Sequence, residues 1–225
     1  MRVDRGESNR ILPNPPVEFM EQREARWPAL VSALAVGGLY LALPGSLTIG
    51  PTWLPLVIAV LLLIPVRLFH YQGKERLNEI AGYTLLGVST GWMLLSLALL
   101  IIGMAHHTET PKMLLLSAGL LWVSNILVFA SWYWRLDAGG PNARDRRERH
   151  EDGAFLFPQM TMDGEHDTWS PGFVDYLFLA FNTSTAFSPT DAPVLSRWAK
   201  VLMMIQASIS LATLALLAAR AVNIL

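Results

Sequence analysis

The sequence predicts an all-α integral membrane protein with about five transmembrane helices and one re-entrant half-helix. The chain of 225 residues has a mean hydropathy of +0.37, and 16 % of its residues are charged, whereas a typical soluble domain has about 25 %. Its apolar residues also form long stretches without Asp, Glu, Lys or Arg. Each stretch is close to the length of about 20 residues that one helical span requires, or to a multiple of it.

Four spans are expected in the region 28–135. No Asp, Glu, Lys or Arg occurs from Trp27 to Val66, which is about twice the length of one span. Pro44-Gly45 and Gly50-Pro51 divide this stretch, because both dipeptides favour turns. Two further uncharged stretches follow the next polar loop. The four spans are expected at about 28–43 and 52–69, and over 80–108 and 113–134.

The region 171–225 is expected to contain a half-length helix, a polar turn and a final span. Ser170-Pro171 is a favourable helix start, because Ser can cap a helix and Pro suits its first position. The helix would run to about Phe187, and the prolines that follow cannot continue it. Asp175, in its first turn, is expected to stabilise the helix start. Residues 201–219 are uncharged and give the last span, within an inner helix expected at 195–224.

Two polar segments complete the chain, and neither carries a recognisable catalytic motif. The tail 1–27 and the connection 136–170 are rich in charges of both signs, and we expect the connection to be solvated, with Phe155 and Phe157 touching the membrane. The net charge of −1 does not suggest a nucleic-acid partner, and the chain has no cysteine for a thiolate site. Because HExxH, GxSxG and phosphate-binding glycine loops are also lacking, we expect no enzyme activity, cofactor or metal site.

The basic residues of the loops predict the orientation of the chain. Cytoplasmic loops carry the excess of Lys and Arg. Thirteen basic residues fall in the tail, the 67–79 loop and the connection, whereas the opposite loops contain one, Lys112. The N-terminus and the connection are therefore expected to be cytoplasmic. The thirteen are Arg2, Arg5, Arg10, Arg23, Arg26, Arg67, Lys74, Arg76, Arg135, Arg144, Arg146, Arg147 and Arg149.

A half-length helix followed by a polar turn points to a re-entrant element. Non-helical backbone at membrane depth survives only where protein or a water-filled cavity satisfies its polar groups. The hydroxyls of Thr183, Ser184, Thr185, Ser188 and Thr190 would either line such a path or form hydrogen bonds at the end of a helix.

The last helix carries a polar face with the same two interpretations. Gln206, Ser210 and Thr213 recur at helical spacing. They would either line a water-filled path or form hydrogen bonds between helices, as Asn125 in the middle of span 4 is also expected to do. Asp191 either attracts cations at a pore mouth or is a solvated turn residue.

The C-terminal block of about 50 residues resembles the pore domain of the potassium-channel superfamily. The resemblance lies in the aromatic-rich segment 173–187, then Asp191, Pro193 and Arg197, and then a final helix. Over its whole length the chain is similar to a family of bacterial multi-pass proteins that carry such a pore-like C-terminus. The features shared with that family are Trp132 to Trp134, Phe157-Pro158 and the ending 221–225.

The resemblance implies a cation-conducting pore in the plasma (inner) membrane. One loop cannot enclose a pore, so a homotetramer is expected, with the lipid bilayer and monovalent cations as its other partners. In the channel family the pore loop enters from outside, whereas the basic residues place its start in the cytoplasm. The candidate filter residues are Thr183, Ser184, Thr185, Ala186, Phe187, Ser188, Pro189, Thr190 and Asp191.

The candidate filter departs from the channel family at one step. The family has Gly-Tyr-Gly where this chain has Phe187-Ser188-Pro189. Pro189 fixes its own φ and restricts Ser188, so successive carbonyls cannot easily aim at one ion. The sequence therefore predicts weak selectivity for potassium over sodium. The alternative is a non-conducting scaffold or accessory subunit that retains a channel-like hairpin.

Overall fold

The computed structural model describes residues 24–106, 110–146, 153–162, 169–185 and 192–221. This part of the chain contains seven α-helices, four short 3-10 turns and one isolated β-bridge, between Phe155 and Val194. The helices are α1 (Trp27–Leu39), α2 (Leu54–Tyr71), α3 (Glu75–His106), α4 (Pro111–Leu136), α5 (Pro141–Arg144), α6 (Phe173–Thr185) and α7 (Arg197–Ala221). The 3-10 turns are Tyr40–Ala42, Gly45–Leu47, Asp137–Gly139 and Pro158–Thr161.

Four of these helices, α2, α3, α4 and α7, are long and apolar enough to cross a membrane. The fold class is therefore confirmed as helical and compatible with a membrane protein. The first predicted span is a shorter apolar helix, because α1 has 13 residues and then tightens into the 3-10 turn at Tyr40–Ala42.

The outward faces of the long helices are apolar. On α2, five large aliphatic side chains are exposed, and α7 exposes a similar stripe. A soluble protein rarely exposes apolar patches of this size, whereas lipid matches them. The exposed residues are Val57, Val60, Leu61, Ile64 and Leu68 on α2, and Val201, Met204, Ile205 and Leu211 on α7.

Helix α4 lies at the centre of the bundle. Of its most apolar window, 56 % is buried, against 11 % for α2 and 17 % for α7. It begins at Pro111, where the hydroxyl oxygen of Thr110 accepts a hydrogen bond from the amide of Met113 at 3.3 Å. This cap and the proline satisfy or remove N–H groups that have no partner within the helix.

The basic end of the bundle is the end at which Arg26, Arg67 and Arg135 lie. Arg26, before α1, donates a hydrogen bond to Nδ1 of His70 at 3.2 Å. Asn78, early in α3, donates to the carbonyl of Val66 at 2.6 Å. The starts of α1 and α3 therefore lie beside the end of α2, as expected for helices that alternate in direction.

Three apolar side chains of the connection 136–170, Phe155, Phe157 and Met160, are packed inside the protein, whereas Phe155 and Phe157 were predicted to touch the membrane. Phe155 is fully buried, and its ring lies 5.2 Å from that of Tyr133, 6.3 Å from that of Tyr176 and 6.2 Å from that of Trp198. Phe157 and Met160 are buried as well. These side chains fill the space among α4, α6 and α7, so they contact protein and do not serve as membrane anchors.

The connection also pairs with the segment that precedes α7. The amide of Leu156 donates to the carbonyl of Pro193 at 2.9 Å, and the amide of Leu195 donates to the carbonyl of Ala154 at 2.8 Å. Through Phe155, the same connection contacts the first turns of both α6 and α7. The starts of these two helices are thereby held together at the basic end.

Helix α6 begins at Phe173, two residues later than the Ser170-Pro171 start predicted from sequence. At this start the carboxylate of Asp175 accepts a hydrogen bond from the amide of Gly172 at 2.8 Å. The expected stabilising role of Asp175 at the helix start is confirmed. The helix ends at Thr185, and the expected continuation to Phe187 lies outside the described residues.

Candidate functional site

A cluster of polar side chains, here named the polar core, lies among α4, α6 and α7. Each of its members has at most 1 % of its surface exposed. Buried polar groups of this kind must find partners, because an unpaired one is unfavourable by about 1–3 kcal/mol. The polar core consists of Asn125, Tyr133, Ser184, Gln206 and Ser210.

Gln206 is the centre of the polar core. Its Nε2 donates to the carbonyl of Ala180 and to the hydroxyl oxygen of Ser184, both at 2.8 Å. Its Oε1 accepts a hydrogen bond from the hydroxyl of Tyr133, and its backbone carbonyl accepts one from Nδ2 of Asn125 at 3.3 Å. One residue therefore joins three helices.

Ser210 extends the cluster by one helical turn. Its hydroxyl donates to the carbonyl of Ser184 and accepts from Nε1 of Trp122 at 3.0 Å. Thr213, one turn further on, is also buried, but its hydroxyl bonds the carbonyls of Ile209 and Ser210 in its own helix. The polar face of α7 is thus directed into the chain, toward α4 and α6.

Helices α6 and α7 run side by side in the same direction. Gln206 bonds Ala180 and Ser210 bonds Ser184, so both pairs are separated by 26 residues. A constant separation along two helices is the register of a parallel pair. With 13 residues, α6 is about 20 Å long, which is shorter than the bilayer core of about 30 Å.

Side chains satisfy carbonyls in the last turns of α6. The last four carbonyls of a helix have no partner within it. The carbonyl of Ser184 accepts from Ser210, and that of Asn182 accepts from the hydroxyl of Thr185 at 3.0 Å. The polar core therefore stabilises the end of a short helix whose carbonyls would otherwise lack partners.

The structure brings together some of the predicted site residues. Thr183 and Ser184 are buried, and the Thr183 hydroxyl donates to the carbonyl of Leu179 at 2.8 Å. Ser184, Gln206 and Ser210 contact one another, and these contacts support the helix-packing interpretation that the sequence left open. The predicted filter residues Ala186, Phe187, Ser188, Pro189, Thr190 and Asp191 lie outside the described residues.

Sequence reasoning missed Tyr133, a member of the polar core, and Trp122, which donates a hydrogen bond to it. Asn125 forms the expected interhelical hydrogen bond, but Tyr133 and Trp122 were not predicted to contribute polar contacts. Tyr133 lies in the Trp132-Tyr133-Trp134 cluster, which is typical of a membrane interface. Trp122, Asn125 and Tyr133 lie at helical spacing with the buried residues of α4. This spacing was the signal in the sequence that could have identified them as part of the site.

A second buried cluster lies at the basic end and fixes the connection to α4 and α6. The carboxylate of Asp137 accepts from the amide of Ala154 and from the hydroxyl of Tyr176 at 2.7 Å. Arg144 donates to the carbonyls of Asp137 and Trp134 at 2.9 and 3.0 Å. Through Tyr176, this network joins the first turn of α6 to the end of α4.

Arg144 also holds the residues before α1. Its Nη2 lies 2.9 Å from the carboxylate of Glu24, which accepts a further hydrogen bond from the indole of Trp134. Burial raises the pKa of Glu24, and the positive charge of Arg144 opposes that shift. The roles of Asp137 and Arg144 were not predicted, because both occur in a segment whose charge pattern is that of a solvated loop.

The polar core contains amide and hydroxyl groups, and its five members include no carboxylic acid and no basic side chain. Groups of this kind form neutral hydrogen bonds and can satisfy the unpaired groups at a helix end. Their arrangement is therefore suited to holding a short helix in place within a bundle. Comparison of the chain with protein-family models, with curated proteins and with solved structures finds no match.

Proposed function

We propose that the chain is a cation-conducting, channel-like subunit in which α6 is a re-entrant helix and residues 186–191 form the narrow part of the pore. The observation that carries this proposal is the parallel pairing of α6 and α7, fixed by Gln206 and Ser210. A short helix beside the following span, with a polar turn between them, is the arrangement expected of a pore loop.

The parallel pairing favours re-entry because of where each helix begins. Both α6 and α7 start beside Phe155, at the basic end. The chain that leaves α6 at Thr185 must therefore return to that end before α7 begins at Arg197. Seven residue steps lead from Thr185 to Ala192, and they span at most about 25 Å when extended. This is enough to retrace the length of about 20 Å that α6 occupies.

The outer face of α6 supports assembly of several chains. Val174, Phe178 and Phe181 recur at helical spacing and are 65, 57 and 45 % exposed. The backbone after α6 requires partners if it lies at membrane depth. Neighbouring subunits around a closed ring would supply them, and a ring also encloses the path that one loop cannot. A homotetramer is the proposed assembly.

The charge at the end of α6 favours cations. A helix C-terminus carries a partial negative charge, and α6 directs its own toward the 186–191 segment. Ser188 and Thr190 add neutral oxygens there, and Asp191 adds a carboxylate. Because Phe187-Ser188-Pro189 lacks the glycines of a potassium filter, the permeant ion keeps part of its hydration shell, and potassium is only weakly preferred over sodium.

A specific observation favours a second candidate function, that of a non-conducting scaffold or accessory subunit. The polar side chains Gln206 and Ser210 of α7 form hydrogen bonds within the chain, and the opposite face of the helix is apolar. Such a helix presents an apolar surface to lipid or to another protein. It has few free hydrogen-bonding groups with which to line a water-filled path.

Ion currents in planar bilayers distinguish the two candidates. Purified oligomeric protein is expected to carry cation current with a reversal potential near zero when sodium is on one side and potassium is on the other. Asp191→Asn should lower the cation current or the preference for cations over anions, because the substitution removes a negative charge at a pore mouth. Asp152→Asn, which changes a carboxylate of the connection, is the control and should leave both unchanged.

Two results would contradict the conducting proposal. Strong potassium selectivity would refute the argument from the missing glycines. Complete absence of current, at any voltage or pH and from protein that is folded and oligomeric, would instead favour the scaffold function.

A further inference from the structure

A cavity of about 60 Å³ opens among α1, α2, α3 and α4 at the basic end. A volume of this size holds a few water-sized groups. Three arginines line it: Arg26 before α1, Arg67 near the end of α2 and Arg135 near the end of α4. The cavity is separate from the polar core, which lies among α4, α6 and α7.

Arg135 is a buried charge that contacts no opposite charge among the described residues. Its side chain is 9 % exposed, and one guanidinium nitrogen donates to the carbonyl of Asn78 at 3.4 Å. Within the described part of the chain, no carboxylate oxygen lies within 4 Å of it. Glu79 acts on it only from a longer distance. A buried charge is strongly unfavourable unless it is paired.

The guanidinium of Arg135 is held in place by α3. It lies directly over Gly82, where an added Cβ would come within 2.0 Å of its Cζ. The rings of Tyr83 and Trp134 lie 5.9 and 5.8 Å from the same carbon. The charge is therefore positioned by packing, and its position does not require an acidic partner.

The other two arginines leave the cavity with a net positive charge. Arg67 is stacked over the ring of Tyr71 at 4.8 Å and, in the part of the chain that is described, has no ion pair. Arg26 is neutralised by Asp145 at 2.6 Å. His70, Asn78 and Ser131 are also polar, and the described residues that line the cavity include no Asp or Glu.

The inner wall of the cavity is apolar. Leu30 and Ala33 of α1, Leu63 of α2, and Leu85 and Leu86 of α3 line it. Each lies further from the basic end than Arg26, Arg67 or Asn78, the polar residue that lines the cavity at or near the same helix. The cavity is thus charged at one end and hydrocarbon-like at the other, which matches a molecule with a phosphate head and an acyl tail.

We propose that this cavity binds an anionic phospholipid, with its phosphate between Arg67 and Arg135 and the first part of an acyl chain against α1, α2 and α3. Basic pockets between transmembrane helices bind anionic head groups in this way. The bound phosphate offsets the charge of Arg135, which has no ion pair within the described residues. The inference rests on the cavity alone and is independent of whether the protein conducts ions.

Lipid binding to the purified protein in mild detergent tests the proposal. Native mass spectrometry and thermal unfolding are followed during titration with dioleoylphosphatidylglycerol or with dioleoylphosphatidylcholine, which has the same tails and no net charge. The anionic lipid should bind and stabilise the protein more strongly. Arg67→Gln should weaken its binding about fivefold, the effect of one basic contact near a membrane surface. Arg197→Gln, an exposed change outside the cavity, should not.

A glycine pair on α3 provides a second test that leaves every charge in place. Gly82→Ala displaces the Arg135 guanidinium and should weaken binding of the anionic lipid, whereas Gly87→Ala, where an added Cβ meets nothing within 4 Å, should not. Unfolding of each variant without added lipid verifies that it is folded.

Three outcomes would overturn the proposal. Equal binding of the two lipids would show that the head-group charge is not recognised. If Arg67→Gln and Arg197→Gln weaken binding of the anionic lipid equally, the lipid is attracted to the whole basic end and not to the cavity. Equal stabilisation by inorganic phosphate alone would identify a phosphate-ion site in place of a lipid site.

Discussion

Gln206 connects three helices through one side chain. Replacing it by Leu keeps a similar volume but leaves the carbonyl of Ala180 and the hydroxyls of Ser184 and Tyr133 without their partner. We expect Gln206→Leu to lower the free energy of unfolding by about 1–3 kcal/mol. Unfolding in mixed detergent micelles, followed by circular dichroism, measures this change.

Ser208 provides the matched control on the same helix. It is exposed, and its hydroxyl bonds only the carbonyl of Met204 in its own helix. Ser208→Ala should therefore change the free energy of unfolding by less than about 0.5 kcal/mol. If the two variants are equally stable, the polar core does not hold α6 to α7.

At the scale of the elements, Arg144 fixes the connection and the start of α6. Arg144→Gln removes its ion pair with Glu24 and weakens its bonds to the carbonyls of Trp134 and Asp137. We expect faster amide hydrogen exchange in residues 153–162 and in the first turn of α6, because these segments depend on the Asp137 network. Exchange in α2 should be unchanged. Mass spectrometry of the exchanged protein resolves these segments.

Arg146 offers a contrasting ion pair two residues away. Its bond to Glu75 is largely exposed, and exposed pairs contribute about 0–1 kcal/mol. Arg146→Gln should leave the exchange pattern as it is. If Arg144→Gln and Arg146→Gln change hydrogen exchange equally, net charge and not the buried network controls the stability of residues 153–162 and of the first turn of α6.

The elements that sequence predicts well are those defined by local composition. The long helices coincide with uncharged stretches, because an uncharged run of about 20 residues has few stable structures other than a helical span. Helix α3 begins at Glu75 and so extends beyond its predicted apolar limit of Ile80. Charged residues can continue a helix into the polar boundary, and hydropathy alone does not detect them.

The burial of Phe155 in the connection could not be predicted in the same way. Its charged residues dominate the local pattern, whereas the buried state of Phe155 depends on Tyr133, Tyr176 and Trp198, which are distant in sequence. The polar core is similar. Its polar face on α7 was visible from spacing, but its partners on α4 and α6 are set by tertiary packing.

At the scale of the whole molecule, the account requires an oligomer. The outward faces of α6 and α7 are apolar, and one α6 cannot enclose a path for ions. We expect a homotetramer in mild detergent, with a dimer as the next most compatible assembly. Light scattering corrected for bound detergent measures the mass of the protein, for which the chain contributes 25.0 kDa per subunit. A monomer would contradict any pore.

The central claim is that the segment containing α6 enters the membrane and leaves it on the same side. Single cysteines test this claim most directly. The chain has no cysteine, so each variant carries one reactive thiol. Ser170→Cys precedes α6, Leu195→Cys precedes α7, and both positions are exposed. Lys74→Cys marks the basic end, and Ile49→Cys marks the opposite end of the bundle.

The measurement is labelling of intact cells by a membrane-impermeant maleimide. The account predicts that Ile49→Cys is labelled from outside, and that Ser170→Cys, Leu195→Cys and Lys74→Cys are labelled only after the membrane is opened. Labelling of Leu195→Cys from outside, with Ser170→Cys protected, would show that α6 crosses the membrane and would contradict the re-entrant arrangement. Labelling of both from outside, with Ile49→Cys protected, would keep the re-entrant helix and reverse the orientation.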